Sequence, residues 1–157
     1  MQVYLDNSAT TKVCKEAADK AYEVMTEGYG NPSSLHSLGN NAAKELKSAR
    51  NTILDRFGGG NKSQLIFTSS GTESDNMAII GTFNRLKRRA DEIITTQVEH
   101  PAVLEACKYL EKQGAKVKYL RVDSECKINL DELRSEISEK TALISVMTVN
   151  NETGSIM

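Results

Sequence analysis

Long apolar runs are missing from this sequence of 157 residues, and none of its hydrophobic stretches is long enough to span a bilayer. The start, MQVYLDNSATTK, has neither the basic flank nor the apolar stretch of a secretory signal. An excess of one charge is missing as well. Lys and Arg number 20 against 21 Asp and Glu, a formal net charge of -1 that gives no footprint for nucleic acid or an anionic membrane. Cysteines are few. Cys14, Cys107 and Cys126 are odd in number and share no C-x-x-C spacing, so neither a disulfide framework nor a zinc site is suggested, and a cytoplasmic setting is expected. There is no internal repeat and no low-complexity segment. Hydrophobic residues make up 39% of the chain, or roughly 42% when the 5 Tyr are left out and the 10 Gly counted, slightly under the globular norm but not a disordered composition, and the length fits one ordinary domain.

What is present falls into two rhythms. In the first fifty-seven residues, Val13, Ala17, Ala21, Val24 and Met25 recur at helical spacing before Gly28. Leu38, Ala42, Leu46, Ala49, Ile53 and Phe57 do the same before the run Gly58 to Gly60. The stretch Gly28 to Ser34 between them reads as a loop, with Ser33 or Ser34 placed to cap the second helix. From residue 64 short apolar strands alternate with helices. Gln64–Thr68, Glu92–Thr96, Lys116–Arg121 and Ala142–Met147 are the strand candidates, rich in β-branched residues and spaced for crossover helices. Thr72 with Asp75 resembles a capping box, Pro101 suits a first turn, Gly114 a helix stop, and a short third helix is expected over Leu130 to Ser138. This alternation predicts an α/β protein with a mostly parallel sheet and helices on both faces.

In such sheets ligands bind beyond the carboxyl ends of the strands, where three polar clusters lie. Ser69 to Asn76 follows the first strand candidate. Its Gly71 and Thr72 open a helix with free N–H groups and a hydroxyl, which reads either as a phosphate cup or as a well-capped helix start. Gly58 to Ser63 lacks the order of a P-loop and reads as a turn. His100, in Gln97 to Pro101, follows the next strand, and is either a capping residue or an imidazole able to stack on a flat cofactor or move a proton. Cys107, two helical turns further on, is too distant to pair with it and reads as core filler. Asn150 and Asn151, before Glu152 and Gly154, form the third cluster, either an Asn-rich strand exit or amides that orient a ligand oxygen. The three converge only in a parallel sheet.

The segments Tyr4 to Thr11, Gly30 to His36, Phe67 to Asn76, Glu99-His100 and Val149 to Gly154 follow one another here in an order that resembles the NifS/IscS-like cysteine desulfurases, from residue 3 to the last residue. The Asn-Pro-Ser-Ser and Thr-Glu-Ser-Asp-Asn forms are closer to that branch than to the SufS-like one. The resemblance implies an incomplete large domain of the aspartate-aminotransferase fold, with 1–12 as an N-terminal segment and 13–157 as part of that domain. It implies pyridoxal 5'-phosphate (PLP) in the full-length enzyme and conversion of L-cysteine to L-alanine. The sulfur passes as a persulfide to iron-sulfur cluster assembly or tRNA thiolation, and the family forms homodimers. Carried over residue by residue, Gly71 and Thr72 hold the phosphate, His100 stacks on the pyridine ring and shares in proton transfer, and Asn151 bonds near the phenolic oxygen and the substrate carboxylate. Asn7, Ser8, Ala9 and Asn31 are on segments that approach the site in relatives.

The family's PLP-bearing lysine, the aspartate facing the pyridinium nitrogen, the Ser-x-His phosphate segment and the sulfur-accepting cysteine have no counterpart in this sequence. The expectation is therefore an N-terminal portion that is inactive alone. Another PLP enzyme of the same class, or a non-catalytic truncated protein, is the alternative. Gln64–Thr68 is expected to lack its strand neighbours, leaving the other three strands as a parallel sheet.

Overall fold

Glu92–Thr96, a glutamate followed by four β-branched residues, forms the central strand of the sheet in a computed structural model that describes residues 1–60 and 63–157. Two compact units are present, Met1–Phe67 and Thr68–Met157. The first holds α1 (Lys15–Thr26) and α2 (Ser37–Arg56). The second runs α3 (Gly71–Leu86), β1 (Glu92–Thr96), α4 (Pro101–Glu111), β2 (Lys116–Leu120), α5 (Leu130–Glu136) and β3 (Thr141–Ile144). Among the described residues no helix is long and apolar enough to cross a membrane.

The sheet is parallel, in the order β2-β1-β3, as the strand-helix alternation predicts. Ile93 pairs with Val117 on one side and Leu143 on the other. Successive strand residues face opposite ways, and the two faces are covered differently. Ile93, Val117 and Tyr119 face α3 and α4, whose Ile79, Phe83, Val103, Ala106, Cys107 and Leu110 complete the core. On the other face Lys118 bridges to Glu136 of α5 at 2.7 Å and to Glu92 of β1 at 3.6 Å. Gly114 ends α4 with φ of +95°, where its own N–H and that of Ala115 turn back to Glu111 and Leu110. A positive φ of this kind favours glycine.

Several local expectations move. Gln64–Thr68 lacks strand neighbours, as expected, and without them is not a strand: Ile66 is 61% exposed, Phe67 is 47% exposed, and no ladder forms beside them among the described residues. The Leu65 carbonyl accepts instead from Arg50 Nε at 3.1 Å, and the Arg50 guanidinium lies 5.2 Å from the Phe67 ring centroid. Extended backbone needs a partner for its N–H and C=O groups, and β-propensity cannot supply one. The second helix is capped by His36, whose Nδ1 accepts from Gly39 N at 3.3 Å, not by Ser33 or Ser34, because the helix begins only at Ser37. The helix after residue 69 starts earlier than expected, so Ser70 and Glu73 replace Thr72 and Asp75 as its capping pair. The third helix stops at Glu136, since Ile137 is already extended. In the expected turn Gly58 to Ser63, Asn61 and Lys62 fall outside the described residues, while Gly58 has φ of +66°.

Cys107 is core filler, fully buried among Phe83, Ala106 and Leu110. Burial, and then the Glu111 and Glu99 carboxylates, push its thiol up to about 11. Once pH exceeds the ordinary thiol value, the unfolded chain loses a proton that the folded chain keeps. Stability therefore falls as pH rises from about 9 to about 11, with a slope approaching -1.4 kcal/mol per pH unit from this group. The expected result is a steeper alkaline loss of stability in the wild type than in Cys107→Ala, read as the difference in urea midpoints at pH 8, 9, 10 and 11. Parallel curves would contradict it.

Candidate functional site

The mouth of α3 is built by its own first turn. Ser70 is extended, with φ of -165°, and its Oγ accepts from Glu73 N at 3.2 Å. The Glu73 carboxylate reaches back to accept from Ser69 N at 2.6 Å and Ser69 Oγ at 2.7 Å. The Ser69 hydroxyl, and then its backbone N–H, hold the Glu73 carboxyl below its ordinary value. That leaves Gly71 N, Thr72 N and the Thr72 hydroxyl without a protein acceptor among the described residues. A Cβ placed on Gly71 would meet no atom within 4 Å, so the mouth is open. Two free N–H groups and a hydroxyl at the positive end of a helix fit a phosphate dianion.

At the exit of β1 the chain turns at once into α4. His100 is the N-cap: its Nδ1 accepts from Ala102 N at 3.1 Å, and Pro101 follows in the first turn, where no N–H is needed. In the neutral ring this bond fixes the proton on Nε2, which makes no hydrogen bond among the described residues. His100 is therefore a capping residue and an exposed imidazole at once.

The exit of β3 is a tight turn organised by Asn150, which is 5% exposed. Its Oδ1 accepts from Glu152 N and Thr153 N, both at 2.9 Å, and Gly154, at φ of +74°, returns its N–H to the Asn150 carbonyl at 2.8 Å. Asn151 stands exposed on the turn. Between the two exits opens a cleft of about 350 Å³ whose walls include Glu99, His100, Cys126, Asn150, Asn151 and Glu152. That volume is within the range of small-molecule sites.

His100 and Asn151 thus share one cleft, while Gly71 and Thr72 are not among its walls. Asn7, Ser8 and Ala9 form an exposed turn in the first unit, and Asn31 uses its Oδ1 to accept from Ser33 N at 2.9 Å. Glu99 and Cys126 were given no site role by sequence reasoning, and Asn150 was read only as one amide of the third polar cluster. Glu99 and Asn150 are polar but more than nine-tenths buried, and only their distant partners show why. Cys126 reaches the cleft from the Asp123 to Lys127 turn, where it has φ of +60°. Among the described residues no group of His, Cys, Asp and Glu is placed to hold a metal ion.

An exposed imidazole, a carboxamide and, apart from them, a free helix N-terminus suit an aromatic, phosphorylated cofactor better than a metal. The chain is 45% identical over 154 residues to a cysteine desulfurase of Nostoc sp., covering 98% of this chain and 38% of that protein. It is 44% identical to the cysteine desulfurase NifS of Azotobacter vinelandii, again over 98% of the chain and 38% of the relative. Among solved structures, a NifS-like protein superposes with a TM-score of 0.94 at 40% identity, covering 99% of this chain and 43% of that one. A structure of SspA in complex with cysteine gives 0.87 at 33% identity, over 98% and 44%. The chain thus spans about 38% of the length of the curated relatives it matches. The aminotransferase class-V family matches residues 3–157, so that with this sheet, these strand-end residues and these relatives the chain belongs to the aminotransferase class-V family.

Proposed function

We propose that this chain is the N-terminal portion of a PLP-dependent cysteine desulfurase. The reaction breaks the C–S bond of L-cysteine, leaves L-alanine, and places the sulfur on an acceptor thiol as a persulfide. The observation that carries the reading is the cleft lined by both His100 and Asn151 beyond the ends of β1 and β3, in a chain whose curated relatives are cysteine desulfurases. Gly71 and Thr72 would bind the PLP phosphate through their N–H groups and the Thr72 hydroxyl. His100 would lie against the pyridine ring and hold or release a proton at Nε2. Asn151 would donate its amide to the phenolic oxygen or to the substrate carboxylate. Bound PLP supplies an electron sink for the amino acid. The full-length protein would be a cytoplasmic homodimer that hands sulfur to a protein such as an iron-sulfur scaffold.

No lysine is among the described residues lining the cleft, and the chain of 157 residues is expected to form no alanine on its own. The test joins residues 1–157 to the complementary part of the Azotobacter vinelandii relative and supplies PLP, L-cysteine and a thiol. Alanine and persulfide in equal amounts are expected from the chimera, and none from the chain alone. A keto acid in place of alanine would favour another class-V PLP enzyme. No product from a folded, PLP-loaded chimera would favour a non-catalytic protein.

A further inference from the structure

Two buried polar side chains in the second unit cross from one strand exit to the other. Glu99, 6% exposed, directly precedes His100. Its Oε1 accepts from Thr96 Oγ1 on its own strand at 3.1 Å and from Met147 N, beyond β3, at 2.8 Å. Asn150, 5% exposed, directly precedes Asn151. Its Nδ2 donates to the Val98 carbonyl, beyond β1, at 3.3 Å, while its Oδ1 holds its own turn. The two side chains reach in opposite directions, Glu99 from the β1 exit and Asn150 from the β3 exit, and their bonds span 48 and 52 residues of sequence. Both side chains also line the cleft.

We propose that Glu99 and Asn150 form a reciprocal latch of positioning residues, each bonding the opposite strand exit so that the pair fixes His100 against Asn151 across the cleft. Parallel strands do not provide this by themselves. The ladder stops at Ile144 on β3, so beyond it the two exits are joined by side chains and a few loop bonds. A buried carboxylate or amide is costly unless its partners are in place, and these partners exist in only one relative placement of the exits. The latch rests on the desulfurase reading for what the cleft binds, but its geometry is testable without any ligand.

The test is NMR of the isotopically labelled, ligand-free chain at fixed pH. The chain has 2 histidines, so His36, in the first unit, serves as an internal reference for His100. Asn150→Ser keeps a short acceptor for the turn but is too short to reach Val98. It is expected to move the His100 ring signals while leaving those of His36 in place. Glu99→Ala is expected to move the Asn151 side-chain amide signals. Glu99→Gln, which keeps the accepting oxygen, is expected to return them towards wild type. Each criterion is read on the opposite exit, which a change confined to sequence neighbours would not reach. If the variants only lower the unfolding midpoint, with His100 and Asn151 signals coincident with wild type, the latch is overturned. Should Glu99→Ala fail to fold, Asn150→Ser and Glu99→Gln decide: an unmoved His100, or displaced Asn151 signals in Glu99→Gln, would overturn it. Because no cofactor is present, these outcomes are independent of the alanine assay.

Discussion

Leu110→Ala is expected to destabilise the second unit by about 2–5 kcal/mol, at least a thirtyfold or so change in the folding equilibrium. Leu110 is fully buried on α4, in the cluster with Phe83, Ile93, Cys107 and Ala115. Truncation removes its methyl groups from this apolar setting and leaves a cavity that strand and helix backbones on either side cannot readily close. Leu130→Ala on α5 is the control. Leu130 is 54% exposed, and its truncation is expected to change stability by no more than about 0.5 kcal/mol. Urea midpoints from circular dichroism would check both. Similar midpoints for the two variants would mean that the α3–α4–sheet cluster is not the stabilising core of this unit.

His100→Ala in the chimera with the relative's complementary part is expected to lower alanine formation about 10²- to 10⁴-fold, the usual contribution of a positioned proton-transfer group. The same substitution removes a helix cap, since Nδ1 no longer accepts from Ala102 N, at a cost of about 1 kcal/mol in stability. The two losses are separable. Asparagine is a good N-cap but carries no titratable ring, so His100→Asn is expected to restore the stability and not the rate. Measuring the unfolding midpoint and the alanine rate on both variants gives the answer. If His100→Asn recovers full turnover, His100 is a capping residue alone. A retained PLP absorbance with a lost rate would assign the loss to proton movement, and loss of both would assign it to holding the cofactor.

How much of this was legible in the sequence depends on the distance between cause and effect along the chain. The β1, β2 and β3 segments were readable because β-branched and apolar residues alternate with amphipathic stretches over a few positions. Cys107 was readable as core because it lies two helical turns from His100, too far to pair with it, and an unpaired cysteine behaves as a small hydrophobe. The caps were less so. Ser70, Thr72, Ser33 and Ser34 are all acceptable caps by chemistry, and which one is used depends on where the helix starts. His36 and His100 both cap through Nδ1, a use that a propensity ranking led by Ser, Thr, Asn and Asp does not suggest.

The sequence by itself determined the strand-helix alternation, the parallel sheet, the order of polar clusters at the strand ends and the resemblance to class-V PLP enzymes, because these reside in local periodicity and in residue identity. Only the tertiary structure decided that His100 and Asn151 share a cleft and that Glu99 and Asn150 hold its two sides. The physical reason is common to both. Hydrogen-bond pairing and burial depend on partner groups some fifty residues away, so the same side chain is a solvated loop residue or a buried latch according to what the fold brings opposite it.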